Sequence, residues 1–302
     1  MEILLINIDS KLPNIALHKI EKYYLDKGDN VTWDMPLYSD TSDKIYVSCI
    51  FTKNRNKCTF YEGIADIGGT GYDIHKRLPK EIEDISLKIN YGFTTRGCVR
   101  KCSFCFVPEK EGNIHVVGDL YDIWDGKSKE VVFLDNNILA LPEQFKKVCE
   151  QSNKEKLEID FNQGMDIRFV TEETCELIKQ TKFKIVRFAF DSSKDEEIIN
   201  RKIRLLNKYN VHAMFYVLVG FESDFSDALK RINYLIKHKQ RAYVMKHENC
   251  DNDKRYMALA RWCNSPLFGK GTLPFKTYLT ESEDGSRYIK YFKSEEINSW
   301  QK

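Results

Sequence analysis

Three cysteines within eight residues form the densest chemical pattern in the chain. They stand in Thr94-Thr95-Arg96-Gly97-Cys98-Val99-Arg100-Lys101-Cys102-Ser103-Phe104-Cys105, with the spacing C-x3-C-x2-C. Positions 98, 102 and 105 are related as i, i+4 and i+7, which on a helix would be one buried face, and cysteine serves well as a small hydrophobe. Gly97 opens the stretch, Pro108 closes it and no apolar stripe continues through it, so the spacing reads instead as a strand-to-loop junction. Structural zinc wants four ligands, usually as two close pairs; Cys58 and Cys149 are solitary and His115 has no partner beside it. Three thiolates with an open fourth position suit a four-iron cluster better, one iron being left free for a ligand.

Those cysteines need a scaffold, and the pattern upstream and downstream supplies one. From about Asn90 onward, strand-like runs at Ile89–Thr94, Val131–Asp135, Leu157–Phe161, Val186–Asp191, His212–Val219 and Arg241–His247 alternate with helical periodicity. The helical stretches are Glu143–Glu150, Glu172–Gln180, Asp195–Tyr209, Ser226–Lys239 and Asp253–Cys263. Six strands with crossover helices predict a partial (β/α)6 barrel over residues 86–302, ending in a helix, a turn near Glu281, Asp284 and Gly285, and a short tail. Polar residues gather at the strand ends, where parallel β/α folds bind ligands: Asp135, Asn136 and Asn137, then Asn162 and Gln163, then Asp191, Ser192 and Ser193.

Residues 1–85 read as a small Rossmann-like α/β domain. Glu2 to Ile8 has strand length, Asn14 opens a helix carrying Ile15, Leu17, Ile20, Tyr24 and Leu25, and Gly28 stops it. Val31–Trp33 and Lys44–Phe51 follow as strands. Gly68-Gly69-Thr70-Gly71 matches neither G-x-G-x-x-G nor the P-loop, and a turn explains it better than a phosphate cradle. Pro79 and the charges through Asp84 mark the boundary.

Composition bounds the partners. With 47 Lys plus Arg against 45 Asp plus Glu, a net charge of +2 gives no global basic excess to drive phosphate binding. No apolar run approaches the roughly 20 residues of a spanning helix, and the N-terminus has no signal-peptide pattern. A cytoplasmic protein with reduced thiols is therefore expected, and nine irregularly spaced cysteines do not suggest a disulfide framework. Cys49, Cys58, Cys149, Cys175, Cys250 and Cys263 read as buried thiols, since the last two are too few for an auxiliary cluster.

The triad placed after a strand, with Phe104 just before its third cysteine, resembles the hallmark of the radical S-adenosylmethionine superfamily. FLDNNILALP (Phe133 to Pro142), DFNQGMDIRFVTEE (Asp160 to Glu173) and RFAFDSS (Arg187 to Ser193) look like barrel strands 2, 3 and 4 of that family. The subfamily they resemble carries an N-terminal cobalamin-binding-type domain. YVLVGFESDFSDALKRI (Tyr216 to Ile232) is similar to its fifth strand and helix, and LPNIALHKIEKYYLDKGDNV (Leu12 to Val31) to the accessory domain. The resemblance implies a 4Fe-4S cluster on Cys98, Cys102 and Cys105 whose fourth iron is chelated by S-adenosylmethionine. It implies reductive cleavage to a 5′-deoxyadenosyl radical acting on a substrate in the barrel, with an electron donor such as flavodoxin or ferredoxin. Phe104 would pack near the adenine. By strand-end position, Asp135, Asn136, Gln163, Arg168 and Asp191 are candidates for holding the amino acid, ribose or substrate. Asp135 and Asn136 would serve equally well as turn caps, and Arg168 as a surface partner of Glu172.

Two departures matter. The family's Gly-Gly-Glu stretch is replaced by Asp135-Asn136-Asn137. The D-x-H-x-x-G signature is missing, so bound cobalamin is less expected than a domain that keeps the fold and covers the barrel. Arg100 and Lys101 could receive an acidic donor or simply be a solvated loop face. After Phe275 too little chain remains for an RNA-binding β-barrel, which weighs against a tRNA methylthiotransferase-like role. The competing reading is a non-catalytic zinc or electron-transfer iron–sulfur protein, and a third is a barrel that binds without turnover.

Overall fold

The structure, a computed structural model, describes residues 1–266 and 273–300, and the last two residues of the expected tail lie outside that range. The chain divides into two compact units: residues 1–101 with 105–131, and residues 102–104 with 132–302. Among the described residues no helix is long and apolar enough to cross a membrane.

The first unit is built on strands β1 (Glu2–Asn7), β2 (Asn30–Trp33), β3 (Lys44–Ser48) and β4 (Asp66–Gly68), ordered β2-β1-β3-β4. Every pairing in that sheet is parallel. The run Ile3-Leu4-Leu5-Ile6 is apolar throughout because both faces of β1 are covered, as parallel sheets require. Ile3 and Leu5 pack on Leu17, Ile20 and Tyr24 of α1 (Ile15–Asp26), while Leu4 and Ile6 pack on Cys58, Tyr61 and Ile67 opposite. Asn14 caps α1, its side chain accepting the Leu17 N–H at 3.2 Å. Leu25, assigned to the same face by its spacing, is instead exposed.

The unit continues through α2 (Lys80–Glu83), β5 (Tyr91–Gly92), β6 (Thr95–Arg96), α3 (Val107–Glu111), β7 (His115–Val116) and α4 (Leu120–Ile123). The single strand expected over Ile89–Thr94 is thus reduced to β5, and β6 is a separate piece paired antiparallel with β7. Residues between β6 and α3 have no helical structure, so the three cysteines do not form a helical face.

In the second unit strands and helices alternate: β8 (Glu130–Phe133), α5 (Pro142–Glu155), β9 (Glu158–Phe161), α6 (Glu172–Gln180), β10 (Arg187–Ala189), α7 (Glu196–Lys208), β11 (Met214–Val219), α8 (Phe225–Lys237), β12 (Arg241–Lys246) and α9 (Lys254–Asn264). β8 neighbours β9, and β10-β11-β12 form a parallel sheet. Parallel bridges Ile159–Phe183 and Met165–Phe188 carry the pairing from β9 to β10. Each strand therefore sits beside its successor, the order that repeated βαβ crossovers produce. Phe215, Val217 and Val219 alternate with Tyr216 and Leu218, and the first set is buried with Ile232 and Leu235 of α8.

The expected turn and tail are a packed helical segment: α10 (Phe275–Glu281), α11 (Glu283–Ser286) and α12 (Ser294–Ser299). Phe275 lies 5.1 Å from the Trp262 ring, 5.9 Å from Phe225 and 5.5 Å from Trp300. Aromatic burial of this size holds helices too short to stand alone.

Candidate functional site

Cys98 and Cys105 belong to a hairpin of the first unit that begins at β6 and returns at β7. Thr95 pairs with Val116 and Arg96 with His115, and the Cys98 N–H donates to the Gly112 carbonyl at 3.2 Å. Gly97 has φ +85°, and a Cβ there would lie 2.4 Å from the Asn113 carbonyl oxygen, so the residue before the first cysteine must be glycine for both reasons. The Arg96 guanidinium is bidentate to Glu111, Nε to Oε2 at 2.8 Å and Nη2 to Oε1 at 3.0 Å, and its Nη1 donates to Glu83 Oε1 at 2.7 Å. Burial works against its charge, but the two carboxylates more than offset this and raise its pKa.

Cys102, Ser103 and Phe104 are grouped with the second unit. Ser103 Oγ donates to Glu222 Oε1 at 2.8 Å, and Lys194 Nζ donates to the other oxygen at 3.1 Å. The Phe104 ring, 36% exposed, stands edge-on to Phe221 at 5.8 Å, and Phe221 lies 4.7 Å from His247. Phe221 and Glu222 follow β11 through Gly220, which has φ +77°.

The same strand ends hold a charged network. Arg168 is bidentate to Asp166, Nε to Oδ1 at 2.7 Å and Nη2 to Oδ2 at 2.8 Å, and also pairs with Asp195. It does not pair with Glu172, which binds Lys208 at 2.7 Å. Burial opposes the charge on Arg168, and Asp166, Asp195 and Cys102 together favour it. Asp191 accepts the Leu218 N–H at 3.1 Å; burial pushes its pKa up to about 6 against the pull of that bond, Arg231 and Arg168. Arg231, 1% exposed, donates to the Phe190 carbonyl at 2.7 Å, the Leu218 carbonyl at 3.1 Å, Ser223 Oγ at 2.9 Å and Asp227 Oδ2 at 2.8 Å. Arg168 and Asp191 thus share one electrostatic neighbourhood. Of the other strand-end candidates, Asp135 is buried just after β8, Asn136 is half-buried beside it and Gln163 is exposed in the turn after β9.

Sequence reasoning passed over Arg96 and Arg231. The Asp227–Arg231 spacing of four was the only signal of the second, and surface pairs show the same spacing. Nothing periodic links Arg96 to Glu83 and Glu111.

The edge of the first sheet is built differently. Asp9, just past β1, accepts the N–H groups of Ile50 at 2.8 Å and Phe51 at 2.9 Å and the Asn54 side chain at 3.1 Å. Burial would raise its pKa, but these donors hold the carboxyl below its ordinary value. The segments that follow β2 and β3 expose Leu37, Tyr38, Phe51 and Phe60 alongside Asp34, Lys53, Arg55 and Lys57. The glycine stretch there is a turn: a Cβ on Gly69 would lie 2.3 Å from the Cys49 carbonyl oxygen and one on Gly71 2.4 Å from the Phe51 carbonyl carbon.

The nine thiols fall into two classes. Cys49, Cys58, Cys149, Cys175, Cys250 and Cys263 are buried, whereas Cys98, Cys102 and Cys105 are half-buried. Burial pushes the Cys49, Cys149 and Cys263 thiols up to about 12 and Cys175 to about 11, which keeps them protonated and inert. Among the described residues no group of three or more His, Cys, Asp or Glu side chains stands gathered as for a metal ion. The fit to a cluster therefore rests on the donor set: three accessible soft ligands on one short loop, in a chain whose other thiols are shut away.

No protein-family profile matches the chain, and no curated protein matches it significantly. Its fold is similar to that of the radical S-adenosylmethionine methyltransferase TsrM from Kitasatospora setae solved with cobalamin and a 4Fe-4S cluster bound. That likeness has a TM-score of 0.60 and 12% identity over 81% of this chain and 74% of that one. The same enzyme with tryptophan substrate and the analogue aza-SAM bound matches with a TM-score of 0.59 and 12% identity, covering 80% and 72%. At this identity the likeness is one of fold, consistent with the superfamily resemblance carried by the triad.

Proposed function

We propose that the chain is a radical S-adenosylmethionine enzyme. The observation that carries this reading is the class split among its thiols: the three cysteines in the C-x3-C-x2-C spacing are the accessible ones, in a fold shared with such an enzyme. Cys98, Cys102 and Cys105 would hold three irons of a 4Fe-4S cluster. When bound and reduced, that cluster supplies the electron that cleaves S-adenosylmethionine to methionine and a 5′-deoxyadenosyl radical.

The chain's own residues bind and orient. Phe104, fixed against Phe221, offers an apolar ring edge to the adenine. Arg168, held by Asp166 and Asp195, presents a fixed positive charge near Cys102 suited to a carboxylate. Asp191 lies in the same neighbourhood, with Asp135, Asn136 and Gln163 on the preceding strand ends as further polar groups for the amino acid, ribose or substrate. In this reading residues 86–302 form the partial (β/α)6 barrel, and residues 1–85 form a Rossmann-like domain. Cobalamin is held by the similar enzyme; here the missing D-x-H-x-x-G signature favours a domain working without it. The setting is cytoplasmic, with a flavodoxin or ferredoxin as donor.

Anaerobic reconstitution with iron and sulfide, followed by dithionite and S-adenosylmethionine, tests this. About four irons per chain and release of 5′-deoxyadenosine are expected, both lost in Cys98→Ala/Cys102→Ala/Cys105→Ala. Zinc in place of iron, or deoxyadenosine release unchanged in the triple variant, overturns the reading.

A further inference from the structure

We propose that Arg96 is a positioning residue for the cysteine loop, a clamp that ties its two ends together; this deepens the function proposed above. Arg96 lies two residues before Cys98 and Glu111 six residues after Cys105, so their bidentate pair closes the loop like a drawstring. Surface ion pairs are seldom worth much, but this one differs in three respects. The Glu111 carboxylate is only 13% exposed and the Arg96 side chain 27%. The guanidinium uses Nε, Nη1 and Nη2 at once, its third arm reaching Glu83 on α2, and its carbon lies 5.0 Å from the centre of the Phe93 ring. Glu83 is itself held by Lys19, through its carboxylate at 3.6 Å and its backbone carbonyl.

The consequence for the thiols is mechanical. Backbone closure at the loop's base includes two ladder pairs, the Val117 and Gly118 N–H groups to the Thr94 carbonyl, the Cys98 N–H to Gly112 and the seating of Gly97 on Asn113. No regular structure spans residues 97–106, so the cysteines have no ladder of their own to fix their spacing. A planar fork bonded to both ends fixes it instead, as lysine with its single point of charge could not. Partners behind a ligand set commonly change metal retention by about 10–100-fold, and Arg96 with Glu111 is expected to act in that range.

The full-length chain decides this in two readouts. In the first, wild type, Arg96→Gln, Glu111→Gln and the double variant are reconstituted, and loss of iron to a chelator and the electron paramagnetic resonance of the reduced cluster are measured. Either single variant should lose iron about tenfold faster with an altered signal, and the double variant no faster than the singles, because the pair acts as one unit. Arg96→Lys should restore only part of the retention. In the second, amide exchange is followed in the iron-free chain, where Cys98 and Gly112 should exchange about tenfold faster in either variant while the amides of β1 and β3 keep their rates. Retention and exchange equal to wild type overturn the clamp, as does exchange accelerated equally across the whole unit. A wild type that takes up no iron, yet shows the local acceleration, strikes the enzyme reading and leaves the clamp standing. Glu111→Gln, the milder change, carries the decision should Arg96→Gln not fold.

Discussion

The two parallel sheets spend the polar groups at their ends differently. At the carboxyl edge of β8–β12 the charged side chains bind one another and the strand-end backbone: Arg231 holds the carbonyls that follow β10 and lie within β11, and Arg168 is gripped by Asp166 and Asp195. At the carboxyl edge of β1–β4 the corresponding acid, Asp9, is consumed by the N–H groups of Ile50 and Phe51, and the segments after β2 and β3 expose Leu37, Tyr38, Phe51 and Phe60 alongside Asp34, Lys53, Arg55 and Lys57. A network of charges fixed in advance suits a small polar ligand, since little ordering is left for binding to supply. The same architecture therefore supports two kinds of edge: in the first sheet the strand-end acid is spent on backbone N–H groups, and in the second charged side chains bind one another as well as the backbone.

The sharpest way to break the contrast is at Arg231. Arg231→Leu leaves Asp227 and two strand-end carbonyls without their buried donor, and should cost about 3–5 kcal/mol in urea unfolding. A cost near zero would mean that the charged edge is not held by this residue.

Asp191 gives the next largest effect and has a definite sign. Its folded pKa of about 6 lies above the ordinary carboxylate value, so the fold prefers the protonated form. The stability contributed by that preference is complete below about pH 4 and is lost as pH rises through about 6, an effect of about 3 kcal/mol. Asp191→Asn should flatten this part of the stability profile, measured by denaturant titration between pH 4 and 7. A wild-type profile that already lacks the decline would show that Asp191 is ionised in the fold.

The smallest effect belongs to Leu37. Leu37 is 95% exposed, so Leu37→Ser should change unfolding stability by less than about 0.5 kcal/mol. A larger loss would place Leu37 in a packed surface.

Local and periodic signals were legible in advance. Glu172–Gln180 is helical over the range its spacing gives, and Met214–Val219 and Arg241–Lys246 fall within the expected strands, because alternation or a helical stripe there matches the buried face. The six buried cysteines also sit as expected. The split of the expected first barrel strand was not legible, since β6 is defined by its pairing with β7 some twenty residues on. The helices after Phe275 were read as turn and tail because they carry scattered aromatics rather than a stripe, and only the ring cluster around Phe225 shows why they fold. Arg96 and Arg231 escaped for a related reason: a buried arginine looks in sequence like any solvated one until its acceptors are placed around it.

One small feature closes off a region of sequence space. A Cβ on Gly220 would lie 2.2 Å from the Cys250 sulfur and 2.4 Å from its Cβ. Shortening Cys250 to alanine therefore would not make room, and the backbone at Gly220 already disfavours any side chain. Any residue with a Cβ at position 250 therefore holds position 220 to glycine, and with it the turn that presents Phe221 and Glu222.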